Sequence, residues 1–173
     1  MQKNDNDARI TEIAKKVMEI RKPVSDFYGL LRNEVREIKK IDFFTEIEYI
    51  PTPFEIAKYY GINYIFEKID EYMPSYISDV PYCIHISDMY SEQSYEAKIL
   101  CAHELGHYFL HEGQVSAMNN DSLNLYLSEE NIKEYEANVF SIFLMPQIMK
   151  GNNWENFSVN KLNRLIYEKT VKT

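Results

Sequence analysis

Residues 101–107, Cys101-Ala102-His103-Glu104-Leu105-Gly106-His107, decide how this chain is read. His103 and His107 stand four positions apart, so on an α-helix both imidazoles leave one face, near enough to share a cation. Glu104 follows His103 directly and is turned about 100° around the helix axis. That sets a carboxylate beside the ion but not on it, the place of a base acting on polarised water. Outward from this H-E-x-x-H core, Tyr95, Ile99, Ala102 and Phe109 form an apolar stripe away from the histidines. The pattern predicts a helix from about Glu92 to Glu112, stopped by Gly113. Gly106 in a helix interior costs about 1 kcal/mol relative to Ala, which points to another backbone packed closely against it.

A catalytic zinc usually takes three protein ligands and leaves its fourth position to water. His111 is a poor third ligand, because eight residues of helix advance about 12 Å between His103 and His111. It is expected to interact instead with the carboxyl end of its own helix. Downstream, Glu134-Tyr135-Glu136-Ala137-Asn138 offers two carboxylates. They fall in a predicted helix that Ser128 caps, with Glu129 and Glu130 in the first turn, running to Met145 before Pro146. Val139, Phe140, Phe143 and Leu144 on that helix read as core.

Towards the amino terminus, Ile10, Ile13, Ala14, Val17 and Ile20 fall at helical spacing from Asp7 to Arg21, and Pro23 is expected to end that helix. A second amphipathic helix is expected over Ser25 to Lys40, with Tyr28, Leu31, Val35 and Ile38 inward. Ile41 to Ile50 reads equally as strand or loop. Thr52-Pro53-Phe54-Glu55 carries a Thr cap, a Pro at the first helical position and a Glu placed to close a capping box. Gly61 closes that short helix. Strands follow at Ile62 to Ile69 and Tyr82 to Ser87; in the second, Tyr82, Ile84 and Ile86 alternate with Cys83, His85 and Ser87. Gln114 to Leu127 is loop-like, with its turn at Asn119 to Ser122, and a last helix spans about Val159 to Glu168. Trp154 lies in a polar stretch.

With 45% apolar residues over 173 positions, the chain is long and apolar enough to bury a real core. Its net charge of −8 disfavours phosphate-driven binding, so no direct contact with nucleic acid is expected. No apolar run approaches the length of a membrane span and MQKNDNDARI lacks the apolar region of a signal peptide, so a cytoplasmic protein is expected. Cys83 and Cys101 are expected as reduced core thiols.

Together the motifs resemble a known family. His103-Glu104-Leu105-Gly106-His107, then the E-x-E-A-N-x-F pattern from Glu134 to Phe140, then Leu144-Met145-Pro146, look like the ImmA/IrrE family of zinc metallopeptidases. Pro53-Phe54-Glu55-Ile56-Ala57 followed by Gly61-Ile62 is similar to the family's opening, so the likeness covers roughly Thr52 to Pro146. It implies an α+β, zincin-like fold, mainly helical, with a small mixed β-sheet next to the H-E-x-x-H helix. Residues 1–50 would form a helical extension and 51–173 the metallopeptidase domain. By the resemblance His103, His107 and Glu134 hold Zn2+, Glu104 is the catalytic acid and base, and Asn138 orients a zinc-binding histidine. Glu136 is the alternative ligand. Glu134 and Asn138, four apart, share a helix face, which suits that pairing. The implied substrate is a helix-turn-helix transcriptional repressor of phage or mobile-element type. The competing reading is a non-hydrolytic regulator that binds a repressor or antitoxin through the same cleft. Zincins place a substrate-binding edge strand before the metal helix, which would let His85 and Ser87 face the cleft. The plainer alternative is a half-exposed strand with an incidental histidine.

Overall fold

A computed structural model of the chain describes residues 2–39, 49–69, 74–112 and 129–145. In chain order the elements are α1 (Gln2–Lys39), α2 (Pro53–Tyr59), β1 (Asn63–Glu67), β2 (Ser75–Asp79), β3 (Tyr82–Ser87), α3 (Tyr95–His111) and α4 (Glu129–Leu144). The fold is α+β, mostly helical, with one small mixed sheet.

Pro23 does not divide the first helix. It lies inside α1, although a proline there forfeits one backbone hydrogen bond and crowds the preceding turn. The buried row explains why the helix continues: Ile13, Val17, Ile20 and Val24 follow one helical phase straight across the proline. A break would take Val24 out of line with the other three. Beyond it Tyr28 is half-buried against the core, while Leu31, expected inward, is exposed. α1 packs its buried row on α4 and α2, and Tyr60 Oη donates to Ile20 O at 2.9 Å to pin the second contact.

α2 forms as its capping signals predict. Thr52 Oγ1 accepts from Glu55 N, and the Glu55 carboxylate accepts from Thr52 N at 2.8 Å. Gly61 takes the left-handed φ of 69° that ends the helix. Phe54, buried on α2, meets Tyr64 and Phe66 of β1 with ring centroids 4.8 and 5.9 Å away.

The strand order is β1-β3-β2, with β1 parallel and β2 antiparallel to β3. One sheet face carries the rows Tyr64, Ile84, Ile77 and Phe66, Ile86, Ser75, and this face is turned to the core. The opposite face carries Glu67, His85, Tyr76 and Ser78. β3 has the predicted bounds but not the proposed role. Both its edges are paired, so it offers no edge to an extended peptide, and His85 faces away from the core, held by Glu67 and Ser78 and stacked on Tyr76. The edge place beside α3 belongs to β2, a strand with no sequence expectation attached.

α3 begins at Tyr95 rather than near Glu92, because Ser94 is the cap: its Oγ accepts from Ala97 N at 3.2 Å. Its left-handed closing residue is Glu112, one place before Gly113. Tyr82 Oη donates to Glu112 O at 2.9 Å and ties this helix end to β3. Both cysteines are free thiols, Cys101 fully buried and Cys83 half-buried, and burial raises the pKa of each. No helix among the described residues is long and apolar enough to cross a membrane. Most of Ile41–Ile50, Val35 and Ile38 as side chains, Gly113, the Gln114–Leu127 loop, the Ser128 cap, Pro146, Trp154 and the Val159–Glu168 helix lie outside the described residues.

Candidate metal centre

The site forms where α3 and α4 cross. Their approach is close because Gly106 has no side chain: a Cβ there would lie 2.8 Å from the Ala137 Cα and 3.0 Å from its carbonyl oxygen. The close packing that this helical glycine implied is therefore against α4. Phe109 and Phe140 stack across the same junction with ring centroids 6.1 Å apart.

At the crossing, His103 and His107 direct their Nε2 atoms to within 3.1 Å of each other. The Glu134 carboxylate completes a triangle, with Oε2 3.1 Å from His103 Nε2 and Oε1 3.2 Å from His107 Nε2. All three side chains are buried. Tetrahedral ligands at zinc–ligand distances of about 2.0–2.1 Å stand about 3.3 Å apart, so these separations suit one small divalent ion. Hydrogen bonding adds a second fit. Asn138 Oδ1 lies 2.8 Å from His103 Nδ1, which places the ring proton on Nδ1 and leaves a lone pair on Nε2. Lone pairs and a carboxylate then converge on one point, an arrangement that a cation resolves.

The electrostatics agree. Burial opposes charge on His103, yet the hydrogen bond and charge of Glu134 push its pKa up to about 9. Burial likewise opposes the Glu134 charge, and hydrogen bonds from both histidines outweigh it, holding the carboxyl far below the usual carboxylate range. Both directions favour positive charge inside the triangle of His103, His107 and Glu134.

Glu104 is buried one residue from His103. Its Oε1 accepts from Ser75 Oγ at 2.6 Å, while its Oε2 is buried with no hydrogen-bond partner among the described residues. Burial raises its pKa, with the positive charge of the histidines and the Ser75 hydroxyl pulling the other way. A buried carboxylate with one oxygen held by a hydroxyl, one residue from a candidate metal ligand, has the placement of a group that moves a proton.

The two acidic candidates on α4 part company. Glu136 does not reach the Nε2 pair; Arg9 Nε and Nη2 donate to it at 2.7 and 2.8 Å, and its Oε2 lies 2.9 Å from His111 Nε2. His111 stands in the last turn of α3, as expected, and is held there by a side chain of α4. Ser75 and Arg9 carried no signal in the sequence. His111 did carry one, since its spacing of four from His107 puts the two rings side by side.

No curated protein and no solved structure matches the chain. A family model described as the IrrE N-terminal-like domain of peptidase M78 matches residues 57–156, a span that takes in the whole sheet, α3 and α4. That span is more than half of the chain, and the chain belongs to this family of peptidases.

Proposed function

We propose that the protein is a zinc-dependent endopeptidase that cuts a helix-turn-helix transcriptional repressor in the cytoplasm and so relieves repression. His103, His107 and Glu134 hold the ion, Glu104 moves the proton, and Asn138 orients His103. The observation that carries this reading is the triangle of two Nε2 atoms and one carboxylate, 3.1–3.2 Å on each side, beside a buried Glu104 Oε2 that has no partner among the described residues. A zinc that only joined two helices would need no such carboxylate and would usually close with a fourth protein ligand.

When bound, zinc supplies Lewis acidity, lowering the pKa of a coordinated water towards neutrality and easing negative charge on the scissile carbonyl. Glu104 Oε2 takes a proton from the attacking water and later delivers it to the leaving amine. Ser75 Oγ occupies Oε1 and so keeps proton transfer on one oxygen. Asn138 Oδ1 holds the His103 proton on Nδ1. β2 is paired on one side only among the described residues, and its free edge is where an extended peptide would align. The choice of a repressor as substrate rests on the resemblance to ImmA/IrrE proteins, and the charge of −8 favours a protein over a nucleic-acid target.

The test combines the purified protein, zinc and the product of the neighbouring gene. The parent should release discrete fragments. Glu104→Gln should bind as much zinc, keep its circular dichroism and cut roughly 100-fold or more slowly. A Gln variant that cuts at the parental rate removes Glu104 from the mechanism; a stable complex without fragments favours the non-hydrolytic regulator.

A further inference from the structure

A continuous chain of hydrogen bonds leads from the candidate metal centre to the first helix. His107 Nδ1, on the far side of the ring from the Glu134 triangle, lies 3.2 Å from His111 Nδ1. His111 Nε2 lies 2.9 Å from Glu136 Oε2, and Arg9 of α1 donates to both oxygens of that carboxylate. The proton positions follow link by link. If His107 Nε2 gives its lone pair to a cation, the ring proton sits on Nδ1 and is donated to His111 Nδ1. His111 then carries its own proton on Nε2 and donates it to Glu136. An ionised carboxylate only accepts and a guanidinium only donates, so no link conflicts with the next.

The burial of the carboxylate in this chain asks for a reason. Glu136 is 7% exposed, and a carboxylate so enclosed is costly unless paired. Hydrogen bonds from Arg9 and His111 supply that pairing. On α4, Glu136 is turned about 200° from Glu134. It serves the opposite side of the His107 ring.

We propose that Arg9, Glu136 and His111 are positioning residues that hold His107 in the orientation and tautomer needed to bind the ion. α1 thereby becomes part of the metal centre, although Arg9 lies upstream of the residues that the family model matches. The proposal rests on the reading that His103, His107 and Glu134 bind a divalent cation. Outer hydrogen-bond partners of zinc-binding histidines typically contribute about 10–100-fold in affinity, which sets the effect expected.

Zinc affinity, measured by competition with a chromophoric chelator, tests the relay without recourse to catalysis. His111→Phe keeps a ring of similar size but removes the acceptor for His107 Nδ1, and Arg9→Met removes the clamp on Glu136. Each variant should keep the circular dichroism of the parent and bind zinc roughly 10-fold or more weakly. Arg9→Lys, which retains a donor and a charge, should recover part of the loss. The double variant should bind no more weakly than His111→Phe alone, because both changes break one chain. Folded variants within twofold of the parent, or losses that multiply in the double variant, overturn the relay. If Arg9→Met does not fold, His111→Phe decides alone. A parent that binds no zinc brings down the metal reading and the relay with it; a zinc-binding parent with indifferent variants brings down the relay only.

Discussion

Ser75 shows how one hydroxyl can occupy one oxygen of a buried carboxylate and leave the other for chemistry. Its Oγ lies 2.6 Å from Glu104 Oε1, and both side chains are buried. Removing it leaves a buried carboxylate with neither oxygen partnered among the described residues, a penalty of about 1–3 kcal/mol. Ser75→Ala should retain stoichiometric zinc, because the hydroxyl touches none of the three candidate ligands, yet cut roughly 10-fold more slowly through a poorly placed base. Zinc content and single-turnover cleavage, measured on the same preparation, check the two halves separately. Loss of zinc would mean that Ser75 supports the ligands, and an unchanged rate would mean that Glu104 is placed by its helix alone.

At the scale of elements, the crossing of α3 and α4 is the device that makes the site. α3 contributes two imidazoles and the candidate base; α4 contributes a carboxylate and an amide; neither helix suffices alone. The distance between them is set at Gly106 against Ala137. Gly106→Ala gains about 1 kcal/mol in helix propensity but drives a methyl to 2.8 Å from a backbone carbon, which cannot swing aside. The crossing must open, and Glu134 must withdraw from the Nε2 pair. We expect a net loss of about 1–3 kcal/mol in urea unfolding and zinc binding weakened well beyond what stability alone explains. A variant as stable and as tight as the parent would show that the helices part without harm to the site.

The same crossing marks what the sequence could and could not convey. Local signals were legible: the capping box at Thr52, the stop at Gly61, the alternation of Tyr82 to Ser87 and the spacing of His103 and His107 each depend on neighbours a few residues away. Pro23 was misleading because a local rule met a buried row running from Ile13 to Val24, and packing against α4 and α2 decided the outcome. β2 carried too short a pattern to stand out, and its hold on Glu104 spans 29 residues. The clamp from Arg9 to Glu136 spans 127. Such pairings depend on how whole helices dock, and spacing along one helix does not record them.

At the scale of the whole molecule, the candidate ligands join segments far apart in the chain, so a bound ion should act as a clasp as well as a reagent. His103 and His107 lie on α3 and Glu134 on α4, and the unfolded chain has no reason to hold the three together. Any ion that binds the folded state alone stabilises it by mass action, about 2.7 kcal/mol when free zinc is 100 times its Kd. For a chain of this length that corresponds to a rise in Tm of several degrees. Stripping the parent with a chelator should lower Tm by that amount, and zinc should restore it. Magnesium should not, because it avoids sites built on imidazole. Glu134→Gln should lose most of the zinc-dependent rise, whereas Ser75→Ala should keep it. Differential scanning calorimetry over a series of free zinc concentrations checks both the size and the dependence. A Tm that ignores zinc in the parent, or a Glu134→Gln variant with the full parental rise, would deny that these three side chains meet on one ion.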